Sequence, residues 1–279
     1  MKQLVFALLC SMSLAACAQP AGPQADGGRK IAVEAPKSGK TPAQVEPAFA
    51  AGSPEARVRE VLRQLNPAIK VDRIAAAPMA GFREVVANGQ VVYVSDDGKY
   101  LFQGGLLDVA NRKDMSEAAM AKVRGDVLKT LPLADRIVFS PVGTPKHKVV
   151  VLTDVECGYC RKFHSEIAEY TKRGIEVEYM AFPRAGLGSA DYRKMVSVWC
   201  ADDRKKALTD AKNDRAVPSK ACTTPVDMQY NAGLRMGLTG TPMILTTDGQ
   251  FVGGYLPPDA LLQRVQQIEA ADAKDAAGA

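Results

Sequence analysis

Histidine is nearly absent from this 279-residue chain, which has only His147 and His164. Its one short cysteine motif is not accompanied by a second close Cys or His pair, so a tetrahedral zinc site lacks its ligands and no metal is expected. Tryptophan occurs once, aromatics amount to 6%, and no long block of like charge is present. Lys+Arg minus Asp+Glu, 36 − 31, leaves only +5. A nucleic-acid surface shows a dense basic face interleaved with aromatics, and its absence removes nucleic acid as a partner. No apolar run reaches the roughly 18–20 residues of a membrane span. What is present, 47% apolar and 24% charged residues, is ordinary globular composition. At about 100–200 residues per domain, the length suggests two modest domains.

The N-terminus reads as an address. Met1-Lys2-Gln3, the apolar Leu4 to Leu14 and the small residues Ala15-Ala16-Cys17-Ala18 have the three parts of a secretory signal peptide, placed at 1–18. A buried N-terminal helix is the competing reading, but the Pro/Gly/Ala-rich sequence from Gln19 offers it nothing to pack on. Ala16-Cys17-Ala18 fits cleavage to a free soluble protein. Leu14-Ala15-Ala16-Cys17 fits a lipobox, which would lipidate Cys17 and tether the protein. Both remain open. Residues 19–52, poor in large apolar side chains, read as a flexible tether.

Export gives the cysteines meaning. Of Cys10, Cys17, Cys157, Cys160, Cys200 and Cys222, the last four stay in a compartment where disulfides persist. Four cysteines allow three pairings; local spacing favours Cys157 with Cys160, leaving Cys200 with Cys222.

Order is expected from Ser53-Pro54, an N-cap with proline at the first helical position. Val58, Val61, Leu62 and Leu65 fall on one helical face. Strand-like stretches follow at Phe82–Val86, Val91–Val94 and Lys99–Phe102, the last two flanking a turn at Asp97-Gly98. Residues 53–114 thus form a small α+β unit, marginal alone. A helix at 115–132, with Met120, Val123, Val127 and Leu131 at helical spacing, reads as a connector, although a core helix has the same pattern. Val149–Leu152 has the continuous apolar run of a buried central strand. One helix carrying Phe163, Ile167 and Tyr170, a strand at Ile175–Tyr179, and a mostly helical stretch over 190–238 come next. Met243–Leu245 and Phe251-Val252 flank Asp248-Gly249, and Pro257-Pro258 opens a helix to about Ile268. Residues 133–270 thus follow a thioredoxin-like order, and 271–279 read as a tail.

Cys157-Gly158-Tyr159-Cys160 lies directly after the buried strand and opens a helix. Unpaired N–H groups and the dipole at a helix start favour a thiolate there. Cys157, nearer the start and expected to be the more exposed, is the candidate nucleophile; Cys160 is the resolving thiol. Gly158 leaves room for an approaching chain, and Tyr159 is placed to tune redox poise by packing. A purely structural bridge over so short a loop would stabilise little. Gly240-Thr241-Pro242 stands where thioredoxin-like folds face the CxxC with a cis-proline, and Thr241 would offer its backbone to an extended substrate.

These motifs, together with Ala77-Pro78-Met79-Ala80-Gly81, Asp96-Asp97-Gly98-Lys99, Gln103-Gly104, Ala181-Phe182-Pro183-Arg184 and Trp199-Cys200, resemble the DsbC/DsbG family of periplasmic protein-disulfide isomerases. The Cys-Gly-Tyr-Cys sequence places the likeness nearest its DsbC branch. The resemblance runs from about Pro54 to the end. It implies a cystatin-like N-terminal dimerisation domain, a linker helix, and a thioredoxin-like catalytic domain with a helical insertion. It also implies a structural Cys200–Cys222 disulfide, a V-shaped homodimer that binds misfolded exported proteins with non-native disulfides, and a membrane thiol reductase of the DsbD type as electron donor. No cofactor is implied. Arg161 departs from the family's His after the CxxC and is expected to favour the thiolate as a cation. Glu156 should oppose it, with the helix start outweighing that charge. A disulfide oxidase or dedicated reductase on the same fold is the rival enzyme, separable by reduction potential. A holdase chaperone with incidental thiols is the rival outside enzymology.

Overall fold

The computed structural model describes residues 47–277. The signal sequence read at 1–18, with Cys17, and the tether up to residue 46 lie outside the described residues. The rest of that tether is anchored: Phe49 packs against the first core cluster, beneath the Arg59 guanidinium.

Helix α1 (Pro54–Leu65) begins as its sequence dictates, with Ser53 Oγ accepting from Ala56 N–H at 3.1 Å and proline in the first turn. It buries Val58 and Leu62, whereas Leu65, counted on the same face, is exposed. Under it lies an antiparallel meander of β1 (Val71–Ala76), β2 (Phe82–Ala87), β3 (Gln90–Ser95) and β4 (Leu101–Gln103), in that order. Strand β1 escaped the sequence reading because Val-Asp-Arg-Ile-Ala-Ala does not alternate; only Val71 and Ile74 are buried. The short hairpin of β5 (Leu107–Asp108) and β6 (Lys113–Asp114) leads into α2 (Met115–Lys129).

The second sheet has the order β11-β10-β8-β9-β7, built from β7 (Ile137–Phe139), β8 (His147–Thr153), β9 (Ile175–Ala181), β10 (Met243–Thr246) and β11 (Phe251–Gly253). Only β8 and β9 run parallel; the other pairs are antiparallel. The crossover between β8 and β9 is not one helix but two, α3 (Gly158–Ser165) and α4 (Ile167–Lys172), divided at Glu166. The helical stretch resolves into α5 (Ala190–Trp199), α6 (Arg204–Lys212) and α7 (Val226–Arg235), and α8 (Pro258–Ala277) closes the fold. Helix α8 runs well past Ile268, through residues read as a tail, since alanine-rich sequence favours helix.

Each face of the second sheet has its own core. One packs α3 to α6 and α8 around Val149, Val151, Val177 and Tyr179. The other packs Met120, Val123, Val127 and Leu128 of α2 against Val150, Leu152, Met180 and Leu245, with Val86 of β2 joining them. Helix α2 therefore both connects the two sheets and belongs to a core. Its approach is close: a Cβ on Gly125 would stand 2.3 Å from the Asp248 carbonyl oxygen. The acidic residues of β9 are buried but paired. Glu178 accepts from Arg136, and Glu176 accepts from Ser140 Oγ and pairs with Lys148.

Candidate active site

Strand β8 ends at Thr153, and a three-residue turn delivers Cys157 to the N-cap of α3. Cys160 N–H donates to Cys157 Sγ at 3.4 Å, so a sulfur occupies the place where a helix start usually puts a capping oxygen. Both thiols are free. The expectation that Cys157 is the more exposed holds only narrowly, with 4% accessible against 1% for Cys160. The difference between them is electrostatic. The Cys160 thiol's hydrogen bond brings Cys157 down to about 5 against the opposing effect of burial; Thr241, the Cys160 N–H and the Arg184 charge add to the lowering. Burial drives Cys160 strongly upward, and its hydrogen bond to Cys157 pushes the same way. The two thiols are thus pushed in opposite directions, Cys157 toward the thiolate and Cys160 toward the protonated form.

The Thr241–Pro242 peptide is cis, and the Thr241 carbonyl oxygen lies 3.2 Å from Cys157 Sγ. The loop before β10 thus lies against the first cysteine. Beside it is a groove of about 660 Å³ whose lining includes Tyr159, Thr241, Pro242, Phe251, Tyr255 and Arg124 of α2. Nothing lies within 4 Å of where a Cβ on Gly158 would stand, so the approach to the motif is open. Tyr159 is 68% exposed and stacks on Tyr255, centroids 6.1 Å apart. The hydroxyl of Tyr255 is anchored on Glu166 at 3.0 Å.

Two charges act differently from the sequence expectation. The Glu156 carboxylate is bound by Arg161 at 2.8 Å and by Lys194 at 2.7 Å, which offsets its repulsion of a thiolate. Arg161 is committed to Glu156, to Asp214 and to the Val155 carbonyl oxygen. The cation among the causes that lower Cys157 is Arg184, itself held by Asp154 at 2.8 Å. Buried Lys212 reaches under the motif from the end of α6, donating to Thr153 Oγ1 at 2.8 Å. Arg184 was legible only as part of a family-like string, and Lys212 gave no signal in a helix rich in lysine. His164, the nearest candidate for a metal ligand, has its ring nitrogens engaged by Tyr179 and Thr209 at 3.1 and 3.0 Å. Cys200 and Cys222 are bonded to each other, tying the end of α5 to the segment before α7.

Residues 49–117 match the family described as the disulfide bond isomerase protein N-terminal domain, and residues 142–269 match the thioredoxin-like domain. The thiol:disulfide interchange protein DsbC of Escherichia coli K12 is 35% identical over 205 residues, covering 73% of this chain and 84% of that one. The chain belongs to the DsbC family. The DsbC of Haemophilus influenzae is 33% identical over 213 residues, covering 76% of this chain and 90% of its own. Among solved structures, a disulfide interchange protein from Neisseria gonorrhoeae aligns at 30% identity and a TM-score of 0.44, over 49% of this chain and 97% of that one. In this DsbC-family chain the thioredoxin-like stretch contains Cys157, Cys160, Cys200, Cys222, Thr241 and Pro242.

Proposed function

We propose that this protein isomerises and reduces non-native disulfides through Cys157 and Cys160. The observation that carries the proposal is the asymmetry of the two thiols: Cys157 caps α3, accepts the Cys160 N–H and has its pKa lowered, while burial of Cys160 beneath it raises that thiol's. The Cys157 thiolate attacks one sulfur of a substrate disulfide, joins it, and expels the other sulfur as a thiolate. A second substrate thiolate can then attack that same substrate sulfur, which forms a new substrate disulfide and returns Cys157 unchanged. That is isomerisation. Alternatively Cys160 loses its proton and attacks Cys157 Sγ, releasing reduced substrate and leaving Cys157–Cys160 oxidised. Thr241 and Pro242 present backbone along the groove to an extended chain, and the Tyr159–Tyr255 stack forms an apolar wall.

The protein acts as a homodimer on misfolded exported proteins in the periplasm, and a membrane reductase of the DsbD type restores the dithiol. The N-terminal family match and the signal-like N-terminus support this setting. So does β4, an end strand of the meander with Leu101 and Phe102 exposed and Tyr100 exposed beside it. An exposed apolar edge is a template for pairing, and a second copy would cover it. Trapping tests the cysteine roles: Cys160→Ala is expected to accumulate substrate joined to Cys157, and Cys157→Ala to trap nothing. Substrate captured on Cys160 in the Cys157 variant would reverse the assignment.

A further inference from the structure

Lys212 is only 4% accessible. Its ammonium donates to two neutral acceptors, Thr153 Oγ1 at 2.8 Å and the Asp154 carbonyl oxygen at 3.4 Å. Its Nζ also stands 5.7 Å from the centroid of the Tyr179 ring. Among the described residues it forms no salt bridge: the Asp154 carboxylate is taken by Arg184 and by the Glu156 N–H. A buried charge without a carboxylate partner is costly, and lysine is seldom fully buried unless paired. The two acceptors of Lys212, Thr153 and Asp154, end β8 and open the turn that delivers the dithiol, and Cys160 is the first of the charges that raise the Lys212 pKa. The Asp154 carbonyl oxygen is the shared neighbour, accepting both from Lys212 and from the Cys157 N–H at 3.3 Å, and the Lys212 charge is the largest charge influence favouring the Cys160 thiolate.

We infer that Lys212 is the counter-charge that lets the buried Cys160 ionise, and so sets the rate at which the enzyme releases itself from a mixed disulfide. This rests on Cys157 attacking and Cys160 resolving. In the resolving step the Cys160 proton passes to water, and the thiolate formed beside the Lys212 ammonium attacks Cys157 Sγ. The Cys157–Cys160 bond forms, the bond from Cys157 to the substrate sulfur breaks, and that sulfur leaves with the electron pair and takes a proton from water. The first attack, by Cys157, depends mainly on the Cys160 hydrogen bonds, Thr241 and Arg184. Lys212 therefore weights the two half-steps unequally: its interaction with Cys160 is larger than that with Cys157, so it acts on leaving more than on attacking. It is a positioning residue, touching neither substrate nor the attacked sulfur.

The charged and titratable groups that face Lys212 are Cys157, Cys160, Asp154 and Arg161, with His164 and Tyr179 packed alongside. Burial brings Lys212 down to about 8, against the raising effect of Cys160, Asp154 and Cys157, so the counter-charge is present at neutral pH and is lost above it. The test uses the reduced full chain, glutathione disulfide as probe, and acid-quenched mass spectrometry to follow the Cys157–glutathione adduct. In Lys212→Met the adduct should form at a rate close to wild type but decay about tenfold more slowly at neutral pH, one unit of thiol pKa or more. The pH midpoint of decay should move upward. Lys212→Gln, which keeps a hydrogen-bond donor but no charge, should behave as Lys212→Met, and Lys212→Arg should restore most of the rate. Decay in Lys212→Met and Lys212→Gln at the wild-type rate and pH midpoint would overturn the inference while leaving the cysteine roles intact. So would Lys212→Arg as slow as Lys212→Met. No adduct on Cys157 in the wild-type protein would overturn both the inference and the cysteine assignment beneath it.

Discussion

Two sulfurs three residues apart behave as different chemical groups because their surroundings differ, not their spacing. Cys157 caps a helix and faces Arg184, whereas Cys160 lies beneath it, buried. Since a thiol alkylates only as its thiolate, the alkylation rate of Cys157 should be half-maximal near about pH 5. Removing a favourable cation raises a thiol pKa, so Arg184→Gln should move that midpoint upward by up to about one unit. Glu156→Gln should move it less, because Arg161 and Lys194 already bind the Glu156 carboxylate. Alkylation followed across pH for the three proteins checks the order. The motif itself was legible at this scale: Cys157 and Cys160 are named by their spacing and place after a strand, Thr241 and Pro242 only by joining that motif to the thioredoxin-like order. The charges that set their chemistry were not. Arg184 and Lys212 arrive from segments 24 or more residues downstream of Cys160, and only the folded chain brings them to the thiols.

At the scale of elements, the strand–CxxC–helix order was readable because β8 is a continuous apolar run and its turn chemistry is short. The break between α3 and α4 was not, since Phe163 and Tyr170 keep helical spacing across it and stack on one core. His164 shows how an element's burial enters stability. Burial holds its imidazole down at about 3 against an ordinary value of 6.5. The unfolded chain therefore binds a proton between those values that the native state does not. The associated stability is full above about pH 6.5 and is lost as pH falls toward 3. Denaturant titrations at pH 7 and pH 4 should show wild type losing about 3 kcal/mol more than His164→Gln, at about 1.36 kcal/mol per pKa unit. The Cys200–Cys222 bond acts on the helical segment in another way. It joins cysteines 22 positions apart, so replacing both by serine should cost about 3 kcal/mol in the same titration while leaving alkylation of Cys157 unchanged.

At the scale of the whole molecule, α2 is the piece whose role the sequence left double. Helical spacing shows an apolar face but not what it meets, and the structure places that face on the second sheet while the helix still leads out of the first. The two sheets are further joined by the Asp72–Arg235 ion pair and by Gly89 lying against Gly237. A truncation meant to release the thioredoxin-like part must therefore keep Met115–Lys129. If the exposed β4 edge pairs two copies, Phe102→Lys in the full chain should turn a dimer into a monomer in sedimentation. It should keep reduction of a small disulfide, because Cys157, Cys160 and Pro242 are far along the chain, and lose most isomerisation of a large misfolded substrate. The whole molecule serves the exchange performed at Cys157. Its most direct measurement is the reactivation of a protein substrate with scrambled disulfides, in a glutathione buffer, by wild type and by Cys157→Ala. Reactivation by wild type and none above background by the variant is the predicted result; reactivation by Cys157→Ala at the wild-type rate would contradict it.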